Sequence, residues 1–249
     1  MKTLSLYLLA LLFLSGCAIG PTEAEREAIK PVRSAKIAVN YSLAAKRINY
    51  TETLYRVLWL ETKTSSQDFS GIWSPDQEIT THVTTTLRKQ NFGADSVYEV
   101  VSPSVIEAAN RRTTRDVTNN ASGAHPQIAG TKLIPYEAFF KKAPTSAEFL
   151  ALAEDLKKKN YRYFLELTAM DLYGTAIGYG MVTVAANPHA RVIDLQTNEV
   201  IWSQQLSHQE LYQLGGDLKK LEENSMSKTK EGVGAGIGRW DFMSLWNFK

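Results

Sequence analysis

Apolar and polar residues fall into short blocks along this chain, and the period of each block predicts an element. Leu4 to Phe13 is a continuous apolar run behind one lysine, Lys2, and it stops at Gly16. Residues 18–50 carry isolated apolar residues among Ala, Lys and Asn, which predicts a tether; Thr22 and Glu25 are spaced to cap a short helix that Pro31 would stop. Leu54–Leu60 is apolar on both faces and predicts a central strand. Ser74-Pro75-Asp76-Gln77 predicts a helix start, and Ile79, Val83 and Leu87 give that helix a buried stripe. After Gly93, Ser96–Val101 predicts a second strand, and Ser102-Pro103 a second helix with Val105, Ile106 and Ala109 on its apolar side.

Thr113 to Thr131 is rich in Thr, Asn, Gly and Ser without a period, so a long surface loop is expected. Thr145-Ser146-Ala147-Glu148 is a capping box opening a helix through Leu156 that ends near Asn160. Tyr161–Leu172 alternates: Tyr163, Leu165, Leu167 and Ala169 share one face, Arg162, Glu166 and Thr168 the other. Met181–Ala186 is a further strand, and Ala190–Leu195 and Val200–Leu206 form a hairpin in which Asn198 tolerates positive φ. The order β-α-β-α-α-β-β-β implies an α/β fold of the mixed α+β kind: a parallel start, an antiparallel meander, and helices packed on one mixed sheet over residues 52–212.

Residues 213–249 read as a helix marked by Leu214, Leu218 and Leu221, a glycine-rich hinge from Gly232 to Gly238, and an aromatic tail. The tail has two readings. It folds back to fill the edge of the core, or Trp240, Phe242, Trp246 and Phe248 dock on a partner or at the lipid interface. The alternating glycines lack the spacing and the strand-loop-helix setting of a dinucleotide loop, so no cofactor is expected.

Charge changes little. Formal net charge is +2, without the basic face that a nucleic-acid binder needs; the lysine clusters at 157–159 and 219–220 suit solvated helix ends. Chemistry enters through Cys17, the only cysteine. Leu14-Ser15-Gly16-Cys17 after the apolar run resembles the bacterial lipobox, a secretory signal cleaved before a cysteine that receives lipid. The resemblance implies a signal peptide over 1–16 and an acylated tether over 17–51, with palmitate-type chains holding the protein on the membrane. Two or three such chains anchor firmly where one does not. Ala18, in place of an aspartate, implies export to the outer membrane, with the domain facing the periplasm. The apolar run falls short of the ~20 residues of a membrane-spanning helix.

Catalytic patterns are missing. His82, His125, His189 and His208 show no metal-ligand spacing, and no nucleophile elbow or phosphate-binding loop occurs. His82 is expected on a helix surface and His189 in a turn. No metal site and no enzyme activity are expected.

The hairpin Asp194-Leu195-Gln196-Thr197-Asn198-Glu199-Val200-Ile201-Trp202 resembles the ending of envelope domains with an anticodon-binding-domain-like fold. These include the curli-secretion lipoprotein family, the lipoprotein activators of penicillin-binding proteins, and the amino-terminal domain of the Tol-system propeller protein. The resemblance spans about Leu54–Leu206, with Asn198 where that group has glycine. It implies a non-catalytic binding or assembly factor whose partner is another envelope protein. Two alternatives accompany it: a subunit of a ring-forming export complex, for which only Tyr173–Ala186 offers a candidate membrane hairpin, and an enzyme acting on envelope glycans through paired carboxylates.

Overall fold

The computed structural model describes residues 23–56, 59–68, 73–122, 139–170, 172–178, 181–185, 188–206, 209–213, 230, 233–246 and 248. In chain order the elements begin with α1 (Glu23–Ile29), a 3-10 turn (Lys30–Ser34), β1 (Lys36–Leu43), β2 (Arg47–Arg56), β3 (Trp59–Asp68), α2 (Pro75–Lys89), β4 (Gly93–Ser96), α3 (Val97–Val100) and α4 (Pro103–Ser122). They continue with α5 (Ala147–Lys158), β5 (Tyr163–Ala169), β6 (Leu172–Gly178), β7 (Met181–Ala185), β8 (His189–Asp194), β9 (Glu199–Gln205), β10 (Gln209–Gln213) and α6 (Phe242–Leu245).

The strands make two five-stranded sheets, ordered β4-β1-β5-β8-β9 and β10-β7-β6-β2-β3. In the first, β1 lies parallel to β4 and β5, while β8 and β9 run antiparallel. This is the mixed sheet expected, with helices packed on it. The second sheet prolongs the first. β1 and β2, β5 and β6, β7 and β8, and β9 and β10 are consecutive in the chain and take the same lateral order in the two sheets. Hydrogen bonds cross the junction from Ala44 N to Ala169 O (2.9 Å) and from Leu206 N to Pro188 O (2.8 Å).

Alternation along β1 and β5 builds a three-layer core. Ile37, Val39, Tyr41 and Leu43, with Tyr163, Leu165, Leu167 and Ala169, form one face, covered by the Ile79, Val83 and Leu87 stripe of α2 and by the carboxy-terminal segment. Ala38 and Phe164 belong to the opposite face, covered by Ile106 and Ala109 of α4 and by Phe149, Leu152 and Leu156 of α5. Both faces are buried, which is how a parallel sheet start avoids exposed apolar surface. Asn91, Asn160 and Asn198 adopt positive φ of 65°, 64° and 58°; they close α2, α5 and the β8–β9 hairpin, where a left-handed residue is needed.

Several expectations change. Residues 23–51 are not a tether: they hold α1, the 3-10 turn, β1 and the start of β2, because Ile37, Val39, Tyr41 and Leu43 alternate and are buried. The expected central strand Leu54–Leu60 is divided between β2 and β3, a hairpin with Arg56 opposite Trp59. Val97–Val100 is helical rather than extended, since the Ser96 side chain accepts a hydrogen bond from Tyr98 N and caps a turn. The first part of the expected loop is helical, and residues 123–131 lie outside the described residues. Residues 113–122 complete α4, whose buried positions Ile106, Ala109, Thr113 and Val117 follow the helical period. Tyr161–Leu172 is not one strand, because it breaks at Met170 between the two sheets. The helix cap at α5 is Ser146 alone, accepting from Phe149 N; Ser74 opens α2 without a side-chain cap bond.

Tyr173–Ala186, expected as a single stretch, contributes to the hairpin β6–β7, and β2–β3 is a second hairpin in the same sheet. Residues 233–237 are helical and pack on α2 rather than forming a hinge. There Gly234 lies so near His82 that a Cβ would come within 2.8 Å of the imidazole. Thr86 Oγ1 donates to Ile237 O (3.4 Å) and Gln90 Nε2 to Trp240 O (2.6 Å). Leu214, Leu218 and Leu221 lie outside the described residues.

Candidate functional site

The candidate site grows from the sheet face beneath α4. Register places Asn40, Glu166 and Arg191 side by side across β1, β5 and β8, with Ser42, Thr168 and His189 as the next row. Glu166, expected on a polar face, is 1% exposed. α4 and α5 roof that face, so its polar groups must find partners inside the protein.

Glu166 finds two arginines. Its Oε1 accepts from Arg112 Nη2 (2.9 Å) and Thr113 Oγ1 (3.2 Å), and its Oε2 from Arg191 Nε (2.6 Å), with Arg191 Nη2 in ion-pair contact with the same oxygen. Arg112 and Arg191 are each 1% exposed. Arg191 Nη1 also donates to Phe139 O (3.4 Å) and Lys142 O (2.7 Å), and its guanidinium lies 5.3 Å from the centres of the Phe139 and Phe140 rings. Burial pushes the Glu166 carboxyl up, but the charges and hydrogen bonds of Arg191 and Arg112 overcome this and hold it down at about 2. The carboxylate therefore stays ionised and saturated with donors. It locks α4, two strands and the 139–142 segment together, which suits a structural tie and not acid–base chemistry.

His189 opens β8 instead of lying in a turn, and it is buried. Its ring stacks on Phe140 with centroids 4.1 Å apart, and Nε2 shares a 2.8 Å hydrogen bond with Ser203 Oγ. Burial, then the charges of Arg191 and Lys141, lower its pKa to about 4, so the ring is neutral at physiological pH. His82 is half-buried against Gly234, while His125 and His208 lie outside the described residues. Among the described residues no cluster of His, Cys, Asp and Glu is arranged to hold a metal ion.

Beside this polar layer opens a cleft of about 1080 Å³ between the start of α2, α3 and α4. Asp76, Tyr98 and Asn110 line it, with Lys46, Arg111 and Arg115 at the rim. A relay crosses its wall: Asn40 Nδ2 donates to Asn110 Oδ1 (2.8 Å), and Asn110 Nδ2 to Tyr98 OH (3.1 Å). Asp76 Oδ1 accepts from Leu43 N (2.8 Å).

Burial pushes Asp76 up to about 6, only partly countered by the Leu43 N–H and by Lys46. A folded pKa above the ordinary 3.8 means that the folded state holds this proton more tightly than the unfolded chain. Ionisation thus weakens the fold as pH rises from about 4 to about 6. Asp76→Asn, whose amide oxygen keeps the Leu43 bond, is expected to stabilise the protein at pH ~8 by about 1–2 kcal/mol. The full shift would carry about 3 kcal/mol, but the residue is partly exposed and water screens its charge. Urea unfolding at pH ~8 and at pH ~4 checks this; an equal effect at both would be incompatible with an ionisation origin.

Of the residues singled out from the sequence, Cys17 lies outside the described residues. Trp240, Phe242 and Trp246 are buried in the core, and Phe248 packs against it. Trp246 is ringed by Phe92 (5.0 Å), Phe242 (5.2 Å) and Trp202 (6.0 Å). The tail folds back, with Trp240, Phe242 and Trp246 in the core and Phe248 half-buried at its edge. Glu166, Arg112 and Arg191 carry no shared signal in the sequence, since a register across two strands and a helix above them joins residues far apart in the chain.

No helix among the described residues is long and apolar enough to cross a membrane. No protein-family model matches the chain, and no curated sequence does. Solved structures similar to it include the PelC dodecamer from Paraburkholderia phytofirmans, at 12% identity over 86% of this chain and 89% of that one, with a TM-score of 0.37. Lipoprotein GNA1162 from Neisseria meningitidis is 11% identical over 78% of this chain and 99% of that one, with a TM-score of 0.29. The LpoB C-terminal domain from Salmonella enterica is 13% identical over 74% of this chain and 96% of that one, with a TM-score of 0.22.

Proposed function

We propose that this protein is an outer-membrane lipoprotein, anchored through Cys17, that serves as a non-catalytic binding or assembly factor in the cell envelope. The observation that carries the reading is the second sheet. Its outer strands, the ten-residue β3 and the five-residue β10, have no further strand beside them among the described residues. An open strand edge offers a row of N–H and C=O groups to an incoming chain. The anchor keeps that edge at the membrane surface, where a partner is met in two dimensions.

A second reading, the subunit of a ring-forming export complex, is favoured by one relation. β3 and β10 lie at opposite edges and run in opposite directions, so β3 of one copy can pair antiparallel with β10 of the next.

Crosslinking in living cells tests both. The wild type is expected to yield either one defined second envelope protein or a ladder of its own copies; the ladder selects the ring. Thr64→Pro and Ser65→Pro are neighbours on β3, and neighbouring N–H groups point to opposite sides. One of the two removes only an outward donor and is expected to abolish the crosslink while the protein remains folded. Unchanged crosslinks from both variants refute edge pairing. Cys17→Ser is expected to release the protein or trap its precursor, and unaltered processing and attachment would refute the anchor.

A further inference from the structure

The cleft between α2 and α4 presents hydrogen-bonding groups in a combination that selects a ligand class. Asp76 uses one carboxylate oxygen for Leu43 N, and the other has no hydrogen-bond partner among the described residues. Tyr98 accepts from Asn110 at its hydroxyl oxygen. Among the described residues it donates its own proton to nothing. An acceptor and a donor therefore stand together on one wall, and burial together with the nearby Asp76 charge keeps the phenol protonated.

Besides Asp76, the charged part of the lining carries a cationic excess: Lys46, Arg111 and Arg115 against Glu107. Arg111 and Arg115 stand four residues apart on α4 and so share one face. Their acidic neighbours are loose and solvated: Arg111 to Glu107 at 3.6 Å, Arg115 to Asp116 at 3.5 Å and to Glu148 at 3.7 Å. Such exposed pairs contribute little and yield to a ligand. Lys46 is the third cation of the lining, and Pro103 supplies exposed apolar surface.

Three simple ligand classes fail against this arrangement. An ammonium compound would satisfy Asp76 but has no acceptor for Tyr98, and it would face three cations. A small anion would satisfy the cations but meet the Asp76 carboxylate. A neutral polyol would match Asp76 and Tyr98, since a hydroxyl both donates and accepts, but leave the arginines with only their long, exposed ion pairs. A molecule carrying hydroxyls and carboxylates on a ring with an apolar C–H face satisfies every group at once.

We propose that this cleft is a binding site for an acidic oligosaccharide. Asp76 and Tyr98 hold ring hydroxyls, Arg111, Arg115 and Lys46 meet the carboxylates, and Pro103 packs on the sugar's C–H face. The volume, about 1080 Å³, accommodates two or three sugar rings. The site lies apart from the sheet edges and does not depend on them.

Calorimetric titration of the full chain in detergent, with oligogalacturonate as probe, tests this. Maltotetraose, acetate and spermidine serve as the neutral, anionic and cationic comparisons. Saturable binding of oligogalacturonate is expected. Tyr98→Phe, Asp76→Asn and the double variant Arg111→Ala/Arg115→Ala should each weaken it by about tenfold or more. Maltotetraose should bind more weakly and be indifferent to the arginine pair. Thermal unfolding of each variant establishes that it is folded. Thr114→Trp, which narrows the cleft from its lining, carries the same expected loss and leaves the hydrogen-bonding groups in place. Absence of saturable binding overturns the proposal. So does binding that Tyr98→Phe leaves unchanged, or acetate or spermidine binding as tightly as the oligosaccharide.

Discussion

Glu166→Ala is expected to lower the free energy of unfolding by about 3–5 kcal/mol at neutral pH. The cost comes from what stays behind. Arg112 and Arg191 are 1% exposed; without Glu166, Arg191 loses its carboxylate and Arg112 keeps only a long 3.5 Å contact with Asp116. Replacing all three by apolar residues of similar volume, as in Glu166→Leu with Arg112→Met and Arg191→Met, should recover most of the loss, because the expense of burying charge disappears along with its compensation. The pH dependence adds a second signature. Glu166 is held at about 2 against an ordinary 4.5. Its contribution is therefore complete above about pH 4.5 and lost as pH falls toward 2. Urea titrations followed by tryptophan fluorescence should show the gap between wild type and Glu166→Gln closing over that window. A gap that stays constant down to pH ~2 would exclude the ionised carboxylate as its source.

Trp246→Ala is expected to cost about 3–5 kcal/mol. Trp246 is 1% exposed and meets Phe92 and Trp202 edge-on at 5.0 and 6.0 Å, so truncation opens a cavity between the tail, β9 and the end of α2. The tail is held from both sides of the gap: Gln90 donates to Trp240 O and accepts from Met243 N. Trp246→Phe should cost less than the alanine variant. It keeps part of the ring and removes an indole N–H that is buried without a hydrogen-bond partner among the described residues. Denaturant midpoints check both. A tryptophan that served only to dock a partner would leave the unfolding of the isolated protein unchanged, and that result would contradict the packed tail.

Short-range chemistry was the legible part of this chain. Pro75 at the first turn of α2, Ser146 before α5 and Asn198 in the β8–β9 turn each act within a few residues, and each element stands where its signal lies. β1 was legible in principle: Ile37, Val39, Tyr41 and Leu43 alternate with period two, but Ala, Asn and Ser between them mask a strand buried on both faces. The end of α4 was obscured by composition. Thr113, Thr114, Thr118, Asn119 and Asn120 have weak helix propensity, and burial of Thr113 and Val117 against the sheet overrides it. The polar layer was the least legible. Glu166 meets Arg112 and Arg191 only through a sheet register and a helix roof, and neither is encoded near any of the three residues. Nor does any local pattern show that one alternating stretch, such as Tyr161–Leu172, divides between two sheets at Met170.

That division has a mechanical corollary. Four strands of the helix-covered sheet are consecutive in the chain with strands of the open one, so the covered half acts as a ruler for the other. A slip of one residue in the outer half of β2 or β6 would drag Ile37 or Leu165 from the core side to the roof side, exchanging apolar side chains for Asn40 and Glu166. The buried layers thus set the pitch and phase at which β3 and β10 meet any neighbour. Whatever joins there joins a template whose spacing was determined a strand's length away.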